Sequence, residues 1–309
     1  MRKVVVTGGA GFIGSHLADE LAKRGYKIII LDDLSTGKKG NIEELLSQPF
    51  SRGEVQFIQG SVTDLPLLNK LFQNIDYVFH LAAIPSVPRS IENPSASHEV
   101  NITGTLNVLL AAQENKVRKV IYSSSCAVYG DSQSISQKED ALLNPQSPYA
   151  ATKLAAEYYC QVFHEVYKLP TACLRYFNIY GPRQDPNSQY AAVIPIFIKR
   201  LTGEKSPIIF GDGEQTRDFT FVKDAVEANI LAAESDATGV FNIGTGNRVT
   251  INELAKLITR LLDKDMKPTY QKSRPGDIKH SMADISKARA FNYNPRYSLE
   301  EGIKETIGI

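Results

Sequence analysis

The chain has 309 residues, of which 35 are basic, 34 are acidic and 42% are hydrophobic. This composition is ordinary for a globular protein, and the near-zero net charge excludes a global field that would attract nucleic acid or an anionic membrane. Cys126, Cys160 and Cys173 show no metal-ligand spacing, which predicts free thiols in a reducing compartment and no metal site. Because no apolar run approaches about 18 residues and the chain begins directly with strand-like residues, we expect a cytoplasmic protein without a membrane span or signal peptide.

Short β-branched runs alternate with segments of helical periodicity in the first part of the chain. The runs occupy residues 4–8, 28–33, 55–60, 77–83, 119–125 and 171–178. Strands that are apolar nearly throughout are buried on both faces, which is typical of a parallel sheet covered by helices on each side. The sequence therefore predicts an α/β fold with a doubly wound parallel sheet of the Rossmann type.

The character of the sequence changes after Asn178, where GPRQDPNSQY is rich in turn-forming and charged residues. We therefore predict a large domain over residues 1–178 and a smaller, interleaved α/β lobe over residues 179–309. Within the second part, residues 220–246 again have the pattern of a helix followed by a strand. We expect this segment to fold back onto the large sheet.

A glycine-rich turn follows the first predicted strand. The segment TGGAGFIG places Gly8, Gly11 and Gly14 between a valine-rich strand and a helix. Gly8 permits the tight turn, Gly11 lets the backbone approach a pyrophosphate, and Gly14 allows close packing of helix and strand. The helix N-terminus adds free amides and the positive end of a dipole. In this context the pattern predicts a dinucleotide site.

An acidic residue ends the second predicted strand. Asp32 stands eighteen residues after Gly14, where a carboxylate can accept hydrogen bonds from the adenosine ribose. A 2′-phosphate would meet like charge at Asp32 and Asp33, so the sequence favours NAD over NADP. Lys38 and Lys39 are near enough to keep NADP open. The alternative interpretation is that Asp32 only caps the loop.

A tyrosine and a lysine lie four residues apart in the segment SPYAATK. Ser147 suits a helix N-cap and Pro148 the first helical position, so Tyr149 and Lys153 share one helix face. For the phenol to act as a base near neutrality, its pKa of about 10 must fall by roughly three units, which requires about 4 kcal/mol. The Lys153 ammonium and a nicotinamide cation are candidate sources of that shift. Ser125, at the end of the fifth strand, can hydrogen-bond the same substrate oxygen.

The chain resembles the extended short-chain dehydrogenases/reductases, and within them the UDP-hexose 4-epimerases. The resemblance runs over nearly the whole chain and includes TGGAGFIG, LDDLSTG, HLAA, NITGTLNVL, SSSCAVYG, SPYAATK, LRYFNIYGPRQDP, GDGEQTRDF and RPGDIKHSMAD. It implies that Tyr149 takes the proton of the sugar 4-hydroxyl while C4 passes a hydride to NAD, with Ser125 and Lys153 completing the catalytic set. The resulting 4-keto sugar would turn about its diphosphate linkage and receive the hydride on its other face.

The resemblance also implies which residues contact the two ligands. Contacts to NAD are expected from Gly8, Gly11, Phe12, Ile13, Gly14, Asp32, Asp33, Leu34, Ser35, Thr36, Gly37, Ser61, Val62, Leu81, Ala82, Ala83, Asn101, Ser123, Tyr149, Lys153 and Phe177. Contacts to the UDP-sugar are expected from Ser86, Ser125, Asn178, Ala192, Val193, Ile208, Phe210, Arg217, Arg274, Asp277 and Ser281. Arg217 and Arg274 match the family's diphosphate-binding arginines. Ser61 departs from the family, because many relatives have an aspartate facing the adenine there.

Two features select among the relatives. The 4,6-dehydratases and related decarboxylases carry an acidic residue just after the catalytic hydroxyl, whereas this chain has Cys126 and Ala127 there. Ser281 matches a position at which epimerases restricted to plain hexoses have a bulky tyrosine, so the serine leaves room for a 2-N-acetyl group. We therefore expect UDP-N-acetylglucosamine and UDP-N-acetylgalactosamine as substrates, together with UDP-glucose and UDP-galactose.

Two alternative functions stay open. A UDP-glucuronate 4-epimerase would share the catalytic residues and the diphosphate arginines. A non-catalytic dinucleotide-sensing protein could use the same fold, although such proteins commonly lose the base that this chain retains.

Two predicted helices, from Glu99 to Gln113 and from Tyr149 to Tyr167, carry broad apolar stripes. Family members pair such helices across a two-fold axis, so we expect a homodimer through a four-helix bundle.

Overall fold

A parallel seven-stranded sheet forms the centre of the computed structural model, which describes residues 1–47, 54–132, 134–186, 192–273 and 279–309. The strands are β1 (Lys3–Thr7), β2 (Lys27–Asp32), β3 (Val55–Gln59), β4 (Tyr77–His80), β5 (Lys119–Ser125), β6 (Thr171–Tyr176), β7 (Ile179–Tyr180), β8 (Ile208–Phe210), β9 (Thr216–Arg217), β10 (Thr220–Phe221), β11 (Gly239–Ile243), β12 (Val249–Thr250) and β13 (Thr269–Gln271). The α-helices are α1 (Phe12–Lys23), α2 (Glu43–Ser47), α3 (Leu65–Leu71), α4 (Val87–Glu92), α5 (Pro94–His98), α6 (Gly104–Glu114), α7 (Pro148–Tyr167), α8 (Val193–Thr202), α9 (Val222–Glu234), α10 (Ile251–Leu261) and α11 (Leu299–Ile307). Short 3₁₀ segments cover Lys39–Asn41, Cys126–Tyr129 and Ala288–Phe291, and Glu99–Thr103 is a turn of π-helix.

The order of strands in the main sheet is β11-β6-β5-β4-β1-β2-β3. Every neighbouring pair in it is parallel. The strand order reverses between β1 and β4, which lie side by side. In open α/β sheets, such a reversal leaves a ligand-binding crevice beyond the carboxyl ends of the strands. The predicted doubly wound parallel sheet is confirmed.

Helices cover both faces of the sheet, as strands with apolar residues on each side require. Val4 and Val6 of β1 belong to the core that also contains Leu17 of α1 and Ala228 of α9. Val5 belongs to the opposite core, which is closed by α3, α6 and α7. Alternate residues of one strand therefore anchor helices on opposite faces, and these helices carry residues to the carboxyl edge of the sheet.

A third apolar core forms after the chain leaves β6. Tyr180, Phe197, Leu254 and Ile303 fill it, and α8, α10 and α11 enclose it. Between α8 and α10 the chain returns to the sheet, where β11 pairs with β6. Ile179 packs against both this core and a core of the sheet. The residues that follow β6 therefore join the two parts of the molecule.

None of the helices in the described ranges combines the length and apolar character that a membrane crossing requires. Those ranges also contain no group of three or more His, Cys, Asp or Glu side chains arranged to hold a metal ion. Cys126, Cys160 and Cys173 are free thiols.

Candidate active site

The glycine turn after β1 presents backbone groups at the edge of the sheet. Gly8 has φ +69°, and its carbonyl accepts a hydrogen bond from Gly11 N at 3.1 Å. A Cβ on Gly14 would lie 2.2 Å from that carbonyl oxygen, so α1 can approach the turn only without a side chain there. Gly11 is the N-cap of α1 and supplies no side-chain cap, which leaves first-turn amides for an anion. The turn thus fits the pyrophosphate of a dinucleotide.

Asp32 holds the glycine turn and the next loop together. One carboxylate oxygen accepts from Ala10 N at 2.9 Å, and the other accepts from Leu34 N at 2.8 Å. Burial raises the pKa of Asp32, although both amide hydrogen bonds act in the opposite direction. The loop-capping role is therefore present in the structure. Each carboxylate oxygen can still accept a second hydrogen bond, such as one from a ribose hydroxyl.

A cavity of about 890 Å³, the dinucleotide cleft, runs along the carboxyl ends of the strands. Its walls include Gly8, Gly11, Phe12, Ile13, Gly14, Asp32, Asp33, Leu34, Ser35, Thr36, Gly37, Ser61, Val62, Leu81, Ala82, Ala83, Ser123, Tyr149 and Lys153. Lys38 lies at the same cleft and pairs with Asp185 at 2.9 Å, so this cation already faces a carboxylate. Because Lys38 is already paired with Asp185, a nucleotide with a 2′-phosphate gains little from this lysine, which again favours NAD. The Ser61 hydroxyl, at the same cleft, lies 2.9 Å from Thr63 Oγ1.

Two residues expected to contact NAD lie behind the wall of the cleft. Asn101 is 1% exposed, and its carboxamide accepts from Ile84 N at 2.8 Å and donates to Thr152 Oγ1 at 3.0 Å. Phe177 is fully buried, with its ring 6.1 Å from the ring of Tyr129. Neither is among the described residues that line the cleft, and the partners of both side chains are inside the protein; contact of these two residues with NAD stays a prediction.

Helix α7 begins where the sequence predicts. Ser147 Oγ accepts from Ala150 N at 3.2 Å, and Pro148 occupies the first turn. Tyr149 N, which has no carbonyl partner within the first turn, donates to Ser90 Oγ at 3.0 Å. The first turn is therefore held from two sides, with the side chain of Tyr149 lining the dinucleotide cleft.

The three predicted catalytic residues come together at this cleft. Lys153 Nζ donates to the carbonyl oxygen of Ser123 at 2.7 Å and lies 6.0 Å from the centre of the Tyr149 ring. A hydrogen bond between the hydroxyls of Ser125 and Tyr149 acts to lower the pKa of the phenol. Ser125, Tyr149 and Lys153 all line the cleft. The set has a phenol oxygen that can act as base and acid, a hydroxyl that can donate a hydrogen bond, and a cation, which together suit proton transfer to and from a hydroxyl.

The protein alone does not make Tyr149 a base at neutral pH. Burial raises the pKa of Tyr149 to about 12, and the hydrogen bond with Ser125 offsets this only in part. Burial also lowers the pKa of Lys153 to about 8, which reduces the fraction of ammonium near neutrality. The expected depression by Lys153 is therefore not achieved without a further positive charge. The nicotinamide ring of NAD is a cation of the required kind.

A buried hydrogen-bond chain, which the sequence did not reveal, joins the glycine turn to α7. Thr7 Oγ1 lies 2.7 Å from His80 Nδ1, and His80 Nε2 lies 2.9 Å from Thr105 Oγ1. Thr105 donates its own proton to the carbonyl of Asn101 at 2.6 Å, so we assign the imidazole proton to Nε2. The Asn101 carboxamide extends the chain to Thr152 on α7. Burial lowers the pKa of His80 to about 3, and the imidazole is therefore neutral.

A cavity of about 490 Å³, the second cavity, adjoins the dinucleotide cleft, and Asn178 and Ile179 line both. Five further predicted UDP-sugar contacts line it: Ala192, Val193, Ile208, Phe210 and Arg217. Asn178 has φ 37° and donates to the carbonyl of Asp218 at 2.9 Å. The residue between the two cavities is thus held in an uncommon backbone conformation by the segment that carries Arg217.

The other predicted sugar contacts have different positions. Ser86 lines the dinucleotide cleft and caps α4 by accepting from Arg89 N at 3.2 Å. Ser281 is not among the described residues that line either cavity, and its N donates to the Thr216 carbonyl at 3.2 Å, next to Arg217. Arg274 and Asp277 lie outside the described residues. Arg89 also lines the cleft, although no motif in the sequence predicts it as a site residue.

Comparisons with known proteins agree with this geometry. A model of the NAD dependent epimerase/dehydratase family matches residues 4–244. A putative UDP-glucose 4-epimerase of Methanocaldococcus jannaschii is 39% identical over 306 residues, covering 98% of this chain and 97% of that protein. The UDP-N-acetylglucosamine 4-epimerase from Methanobrevibacter ruminantium, solved with UDP-N-acetylmuramic acid, has a TM-score of 0.94 and 46% identity, covering 99% of this chain and 97% of its own. The UDP-glucuronic acid 4-epimerase from Bacillus cereus, solved with UDP-glucuronic acid and NAD, has a TM-score of 0.90 and 37% identity, covering 99% and 98%.

The chain belongs to the NAD dependent epimerase/dehydratase family, since the family match covers most of its length and the relatives align over nearly all of it. The predicted resemblance to the UDP-hexose 4-epimerases is confirmed, as are an isomerase activity and the use of NAD.

Proposed function

We propose that the protein interconverts UDP-N-acetylglucosamine and UDP-N-acetylgalactosamine, and also UDP-glucose and UDP-galactose, by inverting C4 of the hexose. The observation that carries this proposal is that Tyr149 lines the dinucleotide cleft, which shares Asn178 and Ile179 with the second cavity. A nucleotide sugar with its diphosphate in the second cavity can present its hexose to the phenol. We assign the reaction to the cytoplasm, where free thiols stay reduced.

Tyr149 acts first as the base and then as the acid at the sugar 4-oxygen. Ser125 donates toward the same oxygen, and Lys153, held on the carbonyl of Ser123 at 2.7 Å, places positive charge behind the phenol. NAD supplies the hydride acceptor and donor when bound. After the keto sugar has turned about its diphosphate, C4 regains the hydride and the 4-oxygen regains the proton held by Tyr149, so the reaction has no net redox change.

Arg217 supports binding of the diphosphate. It lies on β9 and lines the second cavity. A guanidinium recognises phosphate through paired, charge-assisted hydrogen bonds, which suits a ligand with about two negative charges. The family resemblance assigns Arg274 and Asp277 to the same ligand. The apolar side chains of Val193 and Phe210 offer a dry surface to a uracil ring.

The residues near the hexose favour simple epimerisation of an acetylated sugar. Cys126 and Ala127 line the cleft where relatives that eliminate water carry an acid. Burial raises the pKa of Cys126 to about 11, so the thiol is a poor acid–base catalyst near neutrality. The family resemblance places Ser281 where a tyrosine would exclude an N-acetyl group, although this serine does not belong to the described lining of either cavity. Similarity to an enzyme named for UDP-N-acetylglucosamine supports the same choice.

UDP-glucuronate is the second candidate substrate, because a cation lies at the cleft. The Arg89 side chain is exposed beside Ser86 and has no hydrogen-bond partner among the described side chains and backbone groups. A guanidinium there can pair with a sugar carboxylate. Similarity to the Bacillus cereus enzyme solved with UDP-glucuronic acid supports this alternative.

We infer that two chains pair through a four-helix bundle. Tyr158, Val162 and Val166 recur at four-residue intervals on α7 and are 55%, 46% and 63% exposed, and Leu110 on α6 is 39% exposed. A contiguous exposed apolar stripe marks a surface that a partner covers. Light scattering should therefore give a dimer for the wild-type protein and a monomer for Val162→Glu. A monomeric wild-type protein at micromolar concentration contradicts the inference.

One experiment tests the substrate assignment. The purified protein is incubated separately with UDP-glucose, UDP-N-acetylglucosamine and UDP-glucuronate, without added NAD, and the products are separated. We expect conversion of the acetylated and plain sugars by the wild-type protein and none by Tyr149→Phe. Conversion of UDP-glucuronate alone would favour the second candidate. A protein that binds NAD and converts none of the three would be a dinucleotide-sensing protein.

A further inference from the structure

Glu157 lies one helical turn beyond Lys153, in a buried ion pair that the catalytic steps do not use. Its carboxylate and the guanidinium of Arg175 on β6 are each 3% exposed. Arg175 Nη2 lies 2.7 Å from Oε2, and Nε lies 2.9 Å from Oε1. The hydroxyl of Ser124 also donates to Oε1, and Arg175 Nη1 donates to the hydroxyl of Tyr129 at 2.8 Å. The pair is therefore well satisfied and fixed in position.

Three consecutive residues at the end of β5 contact α7, and the middle one, Ser124, contacts Glu157. Lys153 donates to the carbonyl of Ser123 at 2.7 Å, and Glu157 accepts from the hydroxyl of the next strand residue, Ser124. The residue after that is Ser125, whose hydroxyl meets the catalytic tyrosine. The carboxylate thus fixes the end of β5 against the helix that carries both Tyr149 and Lys153.

Glu157 also opposes the loss of charge that burial imposes on Lys153. Burial lowers the pKa of Lys153 to about 8, and the attraction of the Glu157 carboxylate acts against that shift. Without this carboxylate, the buried amine would lose its proton at a lower pH. Stability alone does not account for the ion pair, because apolar residues of similar volume often stabilise a core as well as buried charges do.

The other titratable groups that face Lys153 and Glu157 do not replace the negative charge of Glu157. On the elements packed around these two side chains, the groups are His80 on β4, Tyr122 on β5, Tyr149 and Cys160 on α7, and Cys173 and Arg175 on β6. Away from the catalytic residues, Glu157 borders a cavity of about 760 Å³ whose titratable walls include Lys138, Glu139, Asp140, His164, Glu165, Asp284 and Lys287. Burial raises the pKa of Tyr122 well above its ordinary value and lowers that of His80, so both are uncharged near neutrality.

We propose that Glu157 is a positioning residue for the reaction: held by Arg175, its carboxylate fixes β5 against α7 and holds negative charge one helical turn from Lys153, beside Tyr149. The inference rests on the proposed function, because the charge of Lys153 acts on the reaction through the tyrosine base. Arg175 affects the reaction only indirectly, because it orients the Glu157 carboxylate.

Glu157→Gln tests the proposal because it keeps the shape of the side chain and removes its charge. We expect the ascending limb of kcat against pH to move upward by about one unit, so that kcat near neutral pH falls about tenfold. The direction follows because a neutral Lys153 stabilises the phenolate less and so raises the pKa of Tyr149. KM for the UDP-sugar should stay within about twofold, because Glu157 does not line the second cavity.

Two further variants separate this role from a purely structural one. Glu157→Gln combined with Arg175→Met leaves no unpaired guanidinium buried, so the upward shift should persist in a stably folded protein. Tyr129→Phe removes a hydrogen bond from Arg175 but keeps the carboxylate, and its pH limb should match the wild type. An unmoved limb in the double variant, or an equal shift in Tyr129→Phe, overturns the proposal.

A readout without sugar separates this inference from the proposed function. Formation of the Tyr149 phenolate in NAD-saturated protein is followed by ultraviolet difference absorbance, with Tyr149→Phe as the blank. The titration should move upward in Glu157→Gln, as the kinetic limb does. If the wild-type protein converts no UDP-sugar, the proposed function fails, while this titration still decides the role of Glu157.

Discussion

The dinucleotide cleft and the second cavity are built in different ways. Much of the cleft is lined by short segments that directly follow β1 to β5, so the preceding strand places these wall residues, and α7 adds Tyr149 and Lys153. The second cavity takes its walls from residues 178–180, 192–200, 208–219 and 251, which lie outside the main sheet. The shape of the second cavity therefore depends on contacts between segments that are distant in the sequence.

Asp218 shows how such distant segments are held. Its buried carboxylate accepts from Thr245 N at 2.8 Å, Gly246 N at 3.0 Å and Ala283 N at 3.1 Å. These bonds fix the chain directly after Arg217, which lines the second cavity. A cofactor site can thus be set by local turn geometry, whereas the sugar site needs the tertiary structure. Substitutions on the two sides should consequently separate cofactor affinity from substrate KM.

Tyr149→Phe should have the largest effect, because it removes the proton-transfer group of the dinucleotide cleft. We expect kcat to fall by about 10³-fold, within the range for loss of a general acid–base, while the Kd for NAD changes little. Product separation measures the first and calorimetric titration the second. Tyr158→Phe is the matched control: it lies on the same helix, on the face that the inferred dimer covers and outside the cleft, and it should keep wild-type turnover. Substantial activity of Tyr149→Phe would remove the phenol from the mechanism.

Gly14→Ala should weaken the binding of NAD to the dinucleotide cleft. Its Cβ would lie 2.2 Å from the Gly8 carbonyl oxygen, a backbone atom, so α1 must move away from the turn. Strain of roughly 3 kcal/mol is expected to weaken NAD binding by about 100-fold. Gly40→Ala is the control, because nothing lies within 4 Å of the added carbon. Equal NAD affinity in the two variants would show that the turn does not bind the pyrophosphate.

Local signals explain why the fold and the dinucleotide cleft could be predicted from the sequence. Gly8, Gly11 and Gly14 follow a valine strand directly, and Ser147 and Pro148 mark the start of α7 within two residues. Such patterns depend on neighbours along the chain. They do not reveal orientation: Asn101 and Phe177 stand next to wall residues in space but have their side chains inside the protein.

The remaining features of the site needed the folded structure. Arg217 could be assigned to the diphosphate only through the family resemblance, since an isolated arginine is usually exposed to solvent. The high pKa of Tyr149 arises from burial, which no spacing in SPYAATK reveals. The ion pair between Glu157 and Arg175 joins a helix to a strand, and no local pattern indicates that these two residues meet.

Arg217→Met should affect the sugar side alone. Loss of charge-assisted hydrogen bonds worth about 2 kcal/mol is expected to raise KM for the UDP-sugar by roughly 30-fold. The Kd for NAD should stay at the wild-type value. Arg260→Met removes an exposed arginine of the same lobe, which pairs with Glu300 at 2.6 Å, and should leave KM unchanged. A comparable loss of NAD affinity in Arg217→Met would mean that the two cavities are not independent.

Ser281→Tyr should sharpen the assignment of the sugar. A larger side chain beside the strand of Arg217 is expected to clash with a 2-N-acetyl group and to lower kcat/KM for the acetylated pair by about tenfold. Turnover of UDP-glucose should be retained, and Ser281→Ala should convert both pairs. Unchanged turnover of the acetylated pair by Ser281→Tyr would remove Ser281 as the residue that limits sugar size.

The smallest expected effect is the contribution of His80 to the pH dependence of the free energy of unfolding, and it does not involve binding of NAD or the UDP-sugar. Burial lowers its pKa to about 3, so the unfolded chain binds a proton at this residue near pH 6 while the native protein does not. Stability should therefore fall as the pH drops below about 6.5, by at most about 1.4 kcal/mol per unit for one proton. Denaturant unfolding at pH 7 and pH 5 measures the fall, and His80→Gln, which cannot take up that proton, should show a smaller one. Equal falls in the two proteins would mean that His80 is charged in the native state, and the hydrogen-bond chain from Thr7 to Thr105 would then need a different proton arrangement.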